Sequence, residues 1–266
     1  MDLGLREKVA VVTGASRGIG RAAAGALAQE GATVLLTARG EHDLNKAVAE
    51  LTAAGHDAAG LRVDLSTPEA AGAAVDEAVQ RWGRVDILVN NAGGGPAGSD
   101  HVRSFDPDTW LDVYRRNVIV PMALSSACLP GMAERGWGRI LNVASTMARD
   151  PDPRFGSYGA AKAALAHVTR SLAQAYAAQG VMINAVLPGL TRSEGVLSGY
   201  ADAAAASGRT PEQIEERMMQ LQPIAAGRTG EPEEVAAAIA FLCSERASWI
   251  TGALLLVDGG TVRVLP

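Results

Sequence analysis

Seven short runs rich in valine, isoleucine and leucine recur along the chain, separated by longer alanine-rich stretches, and this alternation limits the fold more than any other feature. The runs are 8–14 (KVAVVTG), 33–39 (TVLLTAR), 57–65 (DAAGLRVDL), 85–93 (VDILVNNAG), 138–145 (GRILNVAS), 181–189 (VMINAVLPG) and 253–260 (ALLLVDGG). Between them, 18–30, 41–54, 67–82, 107–134, 157–179 and 231–243 carry helical spacing. Strands that are apolar on both faces and alternate with helices predict a doubly wound α/β architecture, a parallel sheet covered on each side. Two helix starts have a local cause: Pro68 follows Ser66 and Thr67, a capping residue and a helix opening, and Pro107 lies just after Asp106, where a proline suits the first helical turn. Residues 190–230 break the alternation. They read as a helical insertion over a ligand crevice, with a surface excursion as the alternative.

Charge and composition narrow the partners. The 24 Lys+Arg stand against 29 Asp+Glu, with no long block of one sign, which argues against nucleic acid and anionic membranes and for a small soluble ligand. Cys128 and Cys243 sit far apart in apolar helical contexts and read as buried thiols, while His42, His56, His101 and His167 form no ligand pattern, so no metal is expected. Without a run of 18 apolar residues or a signal-like start, a cytoplasmic protein is expected.

Two motifs carry chemistry. In VTGASRGIG (12–20), glycines 14, 18 and 20 lie between the first strand and the first helix. There the backbone turns sharply and helix amides meet a pyrophosphate, unless the glycines serve the turn alone. In SYGAAKAAL (157–165), Tyr158 and Lys162 stack on one helical face. As an isolated pair they would be amphipathic side chains covering apolar surface.

The glycine spacing resembles the cofactor loop of the short-chain dehydrogenase/reductase family, and the resemblance continues along nearly the whole chain. NNAG (90–93), Asn117, Ser145, Tyr158, Lys162, PG (188–189) and VDGG (257–260) follow in the family's order. The resemblance implies a single domain with a Rossmann-type sheet of seven parallel strands. It also implies an oxidoreductase of carbonyl reductase or alcohol dehydrogenase type with Asn117, Ser145, Tyr158 and Lys162 as catalytic residues.

In that scheme Tyr158 is the general acid/base, its phenol lowered by the Lys162 ammonium and the oxidised nicotinamide. Ser145 holds the substrate oxygen, and the backbone near Asn117 binds a water leading from Lys162 to solvent. Seen alone, Ser145 is equally a turn cap and Asn117 a helix residue satisfying a local backbone group.

The dinucleotide falls, by the same resemblance, to Gly14, Ser16, Arg17, Gly18, Ile19, Gly20, Arg39, Asp64, Leu65, Asn91, Ala92, Gly93, Tyr158, Lys162, Pro188, Gly189 and Thr191, with Asn90 also on the segment beside it. Asp64 contacts the adenine or else caps the next turn. Ala38 stands where NAD enzymes place a carboxylate for the ribose hydroxyls, and Arg39 and Arg17 suit a 2′-phosphate, so NADP(H) is favoured. NAD(H) is the lesser reading, with Glu41 as its competing acid.

Candidate substrate loops are 93–98, 146–156 and 190–222, where Met147, Phe155 and Leu190 offer an apolar wall or pack the insertion. A small ketone or secondary alcohol is the expected substrate. The runner-up is a 3-oxoacyl chain on an acyl carrier protein, weakened because Gln174 and Gln179 replace the arginines that grip such a carrier, with Arg135 as thin compensation. A cofactor-binding regulator without turnover is disfavoured by the intact Tyr158 and Lys162. The resemblance also suggests a homotetramer, with a dimer next, paired through helices 107–134 and 157–179.

Overall fold

All seven expected strands form, and they join one parallel sheet. The computed structural model describes residues 2–96 and 100–263, so Ala97 and Gly98 of the 93–98 loop lie outside it. The strands are β1 (Val9–Thr13), β2 (Thr33–Ala38), β3 (Ala58–Arg62), β4 (Ile87–Asn90), β5 (Gly138–Val143), β6 (Val181–Pro188) and β7 (Leu254–Val257), in the order β3-β2-β1-β4-β5-β6-β7. The order reverses between β1 and β4, and a parallel sheet opens its ligand crevice beyond the carboxyl ends of the strands at that point.

Successive β1 residues point to opposite faces, which explains the unbroken apolar run. Ala10 and Val12 pack with α1 (Gly18–Gln29), α2 (Glu41–Ala53) and α9 (Pro232–Leu242), whereas Val9 and Val11 pack with α3 (Pro68–Trp82) and α5 (Val120–Glu134). Of the two residues before Pro68, Thr67 is the cap, accepting from the amide of Ala70 (3.4 Å), and Asp106 caps α4, accepting from that of Thr109 (2.9 Å).

The stretch 107–134 is not one regular helix. It runs as α4 (Pro107–Tyr114), a π-helical turn at Arg115–Ile119, and α5. The expected helix at 157–179 is α6 (Gly156–Tyr176) followed by a single 3₁₀ turn. Residues 190–230 hold α7 (Glu194–Ser207) and α8 (Pro211–Leu221), the first stopped by Gly208 in the left-handed region, the second opened by a Thr210–Gln213 capping box.

Candidate active site

The turn after β1 is sewn to the exit of β4. Thr13 Oγ1 donates to the Val89 carbonyl (3.2 Å) and accepts from the amides of Asn91 (2.9 Å) and Ala92 (3.0 Å). Asn91 Nδ2 returns two bonds, to the carbonyls of Thr13 (2.9 Å) and Gly14 (3.1 Å). Gly14 (φ +64°) and Gly18 (φ +58°) take left-handed backbone, which favours glycine. Gly20 is required for another reason: a Cβ there would lie 2.4 Å from both the Gly14 carbonyl oxygen and Asn91 Nδ2. Thr13 escaped the sequence reading, although a hydroxyl closing the otherwise apolar VAVVT strand was its available signal.

This turn opens onto a groove of about 1450 Å³ at the sheet's carboxyl edge. Gly14, Ser16, Arg17, Gly18 and Ile19 line it from the turn, Arg39, Asp64 and Leu65 from the ends of β2 and β3, and Asn91, Ala92 and Gly93 from β4. Pro188, Gly189 and Thr191 line it from β6, and Ser145, Tyr158 and Lys162 from β5 and α6. Gly20 and Asn117 stand behind its wall through the contacts described above and below.

Asn90 corrects an expectation. It points into the interior, donating to Asn142 Oδ1 (2.9 Å) and Ser125 Oγ (3.3 Å), because neighbours on a strand face opposite ways.

At the turn's helix end, Gly18 N–H donates to Glu194 Oε2 at 2.6 Å. Helix α1 has no side-chain cap and no acid in its first turn, so a carboxylate from the start of α7 supplies the negative charge that a helix N-terminus attracts. Ser193 caps α7, accepting from Val196 N (3.4 Å), and a Cβ on Gly18 would come 3.1 Å from its Cβ. Neither Ser193 nor Glu194 was legible as a site residue, since the contact joins positions 176 apart. Thr191 is buried, with its hydroxyl donating to the Gly189 carbonyl (3.1 Å).

Near Ala38 the charge is mixed, with Arg39 and Asp43 both lining the groove. Register places Arg62 beside Ala38, and its Nε donates to the Arg39 carbonyl (3.3 Å). Arg62 Nη1 also faces Glu41 Oε2 at 3.8 Å on the exposed rim.

Ser145 follows β5 in extended backbone. Its Oγ accepts from Met147 N (3.2 Å), and it lines the groove beside Tyr158, whose phenol it helps to lower, so it is turn cap and groove residue together. Lys162, one turn beyond Tyr158, donates from Nζ to the Val143 carbonyl (2.7 Å) and lies 5.6 Å from the Tyr158 ring centre. Asn117, in the π-helical turn, accepts from Gly94 N (3.1 Å) and donates to the carbonyls of Gly94 and Val113 (2.9 Å each). A Cβ on Gly93 would sit 2.5 Å from Asn117 Oδ1 and 3.6 Å from Lys162 Nζ, so glycine lets these two groups share one wall.

The expected lowering of Tyr158 by Lys162 is not what the chain's own groups produce. Burial pushes the phenol up against the opposing Ser145 hydrogen bond, and burial also lowers the Lys162 ammonium to about 8.

Met147, Phe155 and Leu190 do line the groove, joined by Val196 and Tyr200 of α7, by Ile214 and Met218 of α8 and by Gln222 just after it. Cys128 and Cys243 are buried, free and remote from it, with thiols pushed up to about 12 by burial.

A phosphate-type turn at the switch point of a doubly wound sheet, with a serine, a tyrosine and a lysine lining the same groove, defines an oxidoreductase of the Rossmann class. The chain belongs to the short-chain dehydrogenase/reductase family. The family profile described as enoyl-(acyl carrier protein) reductase matches residues 14–262. The chain is 40% identical to cis-4-hydroxycyclohexanecarboxylate dehydrogenase of Sinomonas cyclohexanicum, over 97% of this chain and 98% of that protein. It is 36% identical to a 3-oxoacyl-(acyl-carrier-protein) reductase of Vibrio cholerae, over 98% and 100%. Among solved structures, L-sorbose reductase from Gluconobacter frateurii, complexed with NADPH and L-sorbose, superposes with a TM-score of 0.94 at 33% identity, covering 100% of each chain.

Proposed function

We propose that the chain is an NADP(H)-dependent carbonyl reductase or alcohol dehydrogenase acting on a small ketone or secondary alcohol. Tyr158, Ser145 and Lys162 together lining the same groove as the glycine turn carry this reading. NADPH, when bound, supplies the hydride to the carbonyl carbon. Tyr158 donates a proton to the carbonyl oxygen that Ser145 holds in line, and the reverse reaction returns the proton to Tyr158. Lys162 has three N–H donors, of which Val143 takes one, leaving donors for the nicotinamide ribose. Asn117 holds the backbone at Gly94, part of the wall that would face this half of the cofactor.

The residues present fit the dinucleotide. Gly14, Ser16, Gly18, Ile19 and Gly20 form the cradle for the pyrophosphate, and the Gly18 amide already bonds an anionic oxygen. Asp64, Leu65, Asn91, Ala92 and Gly93 take the adenosine side, Pro188, Gly189 and Thr191 the nicotinamide side, and Arg17 and Arg39 the 2′-phosphate. The chain acts as a single domain with 190–230 as its substrate lid, because α7 and α8 both lend apolar side chains to the groove. The decisive assay follows NADPH and NADH oxidation against a panel of ketones. Turnover with NADPH is expected, and tight NADPH binding without oxidation of any carbonyl would leave the regulator.

Glu194 yields a second expectation. Its carboxylate occupies the amide on which the pyrophosphate is to land, so NADPH must displace it. Glu194→Gln is expected to tighten NADPH about fivefold by fluorescence titration, within the range of helix-terminus charge effects; an unchanged Kd removes the competition.

The carrier-bound acyl chain remains the second reading, favoured by the Vibrio cholerae relative. Arg135 weakens it further, since its Nη2 turns inward to the Val85 carbonyl (2.6 Å) and toward buried Asp86 (3.5 Å). A homotetramer, or else a dimer, is supported by Leu111 (61% exposed), Tyr114 (41%) and Ile119 (40%) on α4 and the π-helical turn.

A further inference from the structure

Helix α6 carries Tyr158 and Lys162 but has no cap of its own. Its N-cap position is Phe155, whose side chain accepts nothing, so the first amides of the helix need partners from elsewhere. One distant residue meets three of them. The Asp100 carbonyl accepts from Gly156 N (2.8 Å), Asp100 Oδ1 accepts from Ser157 N (2.9 Å) and Ser157 Oγ (2.5 Å), and Asp100 Oδ2 accepts from Tyr158 N (3.0 Å).

The neighbouring backbone is tied in the same place. Asp100 pairs with Phe155 in a single parallel bridge, and Val102 N donates to the Pro153 carbonyl (2.9 Å). Gly156 permits the approach, because a Cβ there would lie 2.7 Å from Val102 Cγ1 and 3.1 Å from the Asp100 carbonyl oxygen.

We propose that Asp100 is a positioning residue for the reaction: its carboxylate caps the first turn of α6 and thereby fixes the Tyr158 phenol against Ser145. The inference rests on Tyr158 being the proton donor. Tyr158 is the third residue of the helix, inside the turn that frays when its amides lose their acceptors, whereas Lys162 lies a full turn deeper. A carboxylate suits the task because its two oxygens hold three donors and its charge complements the helix N-terminus. Misplacement of a reacting group by about 1 Å costs on the order of 10²-fold in rate.

The test compares Asp100→Ala, Asp100→Asn and Tyr158→Phe, singly and combined, by steady-state kinetics with NADPH titration. Asp100→Ala is expected to lower kcat about 30-fold. The Kd for NADPH should stay within about twofold, because the pyrophosphate turn sits on α1. Asp100→Asn keeps one accepting oxygen and should recover part of the loss. In the Tyr158→Phe background, Asp100→Ala should cost less than about twofold more, since the group it positions is gone.

Wild-type kcat in Asp100→Ala, or the full loss repeated in the Tyr158→Phe background, overturns the inference. Unimpaired Tyr158→Phe instead overturns the reading beneath it. Should Asp100→Ala fail to fold, Asp100→Asn is judged by the same two criteria.

Discussion

Tyr158→Phe is expected to lower kcat about 10³-fold, or roughly 4 kcal/mol of transition-state stabilisation, while the Kd for NADPH stays within a factor of two. The change removes one oxygen. The ring remains to pack where it does now, against Val113, Val118 and Ala161, so the loss reports the proton and not the fold. The pH dependence provides a second, independent signature. Burial holds the phenol above its ordinary value of 10.0, so in the reducing direction, which needs the proton present, kcat/KM stays level through neutral pH and falls only at alkaline pH. Oxidation needs the phenolate and therefore speeds up as pH rises. The positive charge of the oxidised ring favours that phenolate, so its limb is shifted to lower pH than the reductive one. Tyr158→Phe should erase both limbs. Retention of wild-type turnover, or of either limb, rules out the phenol as acid and base.

The architecture was legible because the parallel sheet writes itself as unbroken apolar runs, and every strand formed inside its expected span. The pieces of the site that lie on strand ends or on one helical turn were legible for a similar reason: short periodicities place Tyr158 over Lys162, and a glycine cluster at a strand–helix junction has few alternative uses. What escaped notice is non-local or conformational. The π-helical turn at Arg115–Ile119 has no periodic mark in an apolar helix. Asn90 and Asn91 are adjacent, and only the point where β4 releases the chain decides which of them faces the groove. Asp100 caps a helix that begins 56 residues later, and Glu194 reaches an amide from the far side of the crevice. Arg62 comes beside Ala38 through strand register, which no single run reveals. Burial is what the residue types leave out of the electrostatics. Counting charges suggests that Lys162 and the oxidised nicotinamide lower Tyr158, but in the chain by itself both side chains are buried, and desolvation raises the phenol and lowers the ammonium.

Arg39→Asp is expected to lower the ratio of kcat/KM for NADPH to that for NADH by about 10²–10³, through two opposed effects at one position. Loss of a guanidinium facing a 2′-phosphate removes a charge-assisted, potentially bidentate contact, worth about 1.5–3 kcal/mol. The new carboxylate repels that phosphate yet accepts hydrogen bonds from the free ribose hydroxyls of NADH, so NADH should gain while NADPH loses. Arg39→Ala separates the two, lowering the NADPH efficiency without improving NADH. Arg17 lines the same groove and Arg62 bonds the Arg39 backbone, so the remaining basic charge keeps the ratio from inverting completely. Because Arg39 is exposed, its attraction for the phosphate is screened, and the wild-type preference should shrink as potassium chloride rises from 0.01 to about 0.15 M, where the Debye length falls to about 8 Å. A ratio that ignores both the substitution and the salt would place the discriminating contact elsewhere on the rim, with Arg17 the next residue to change.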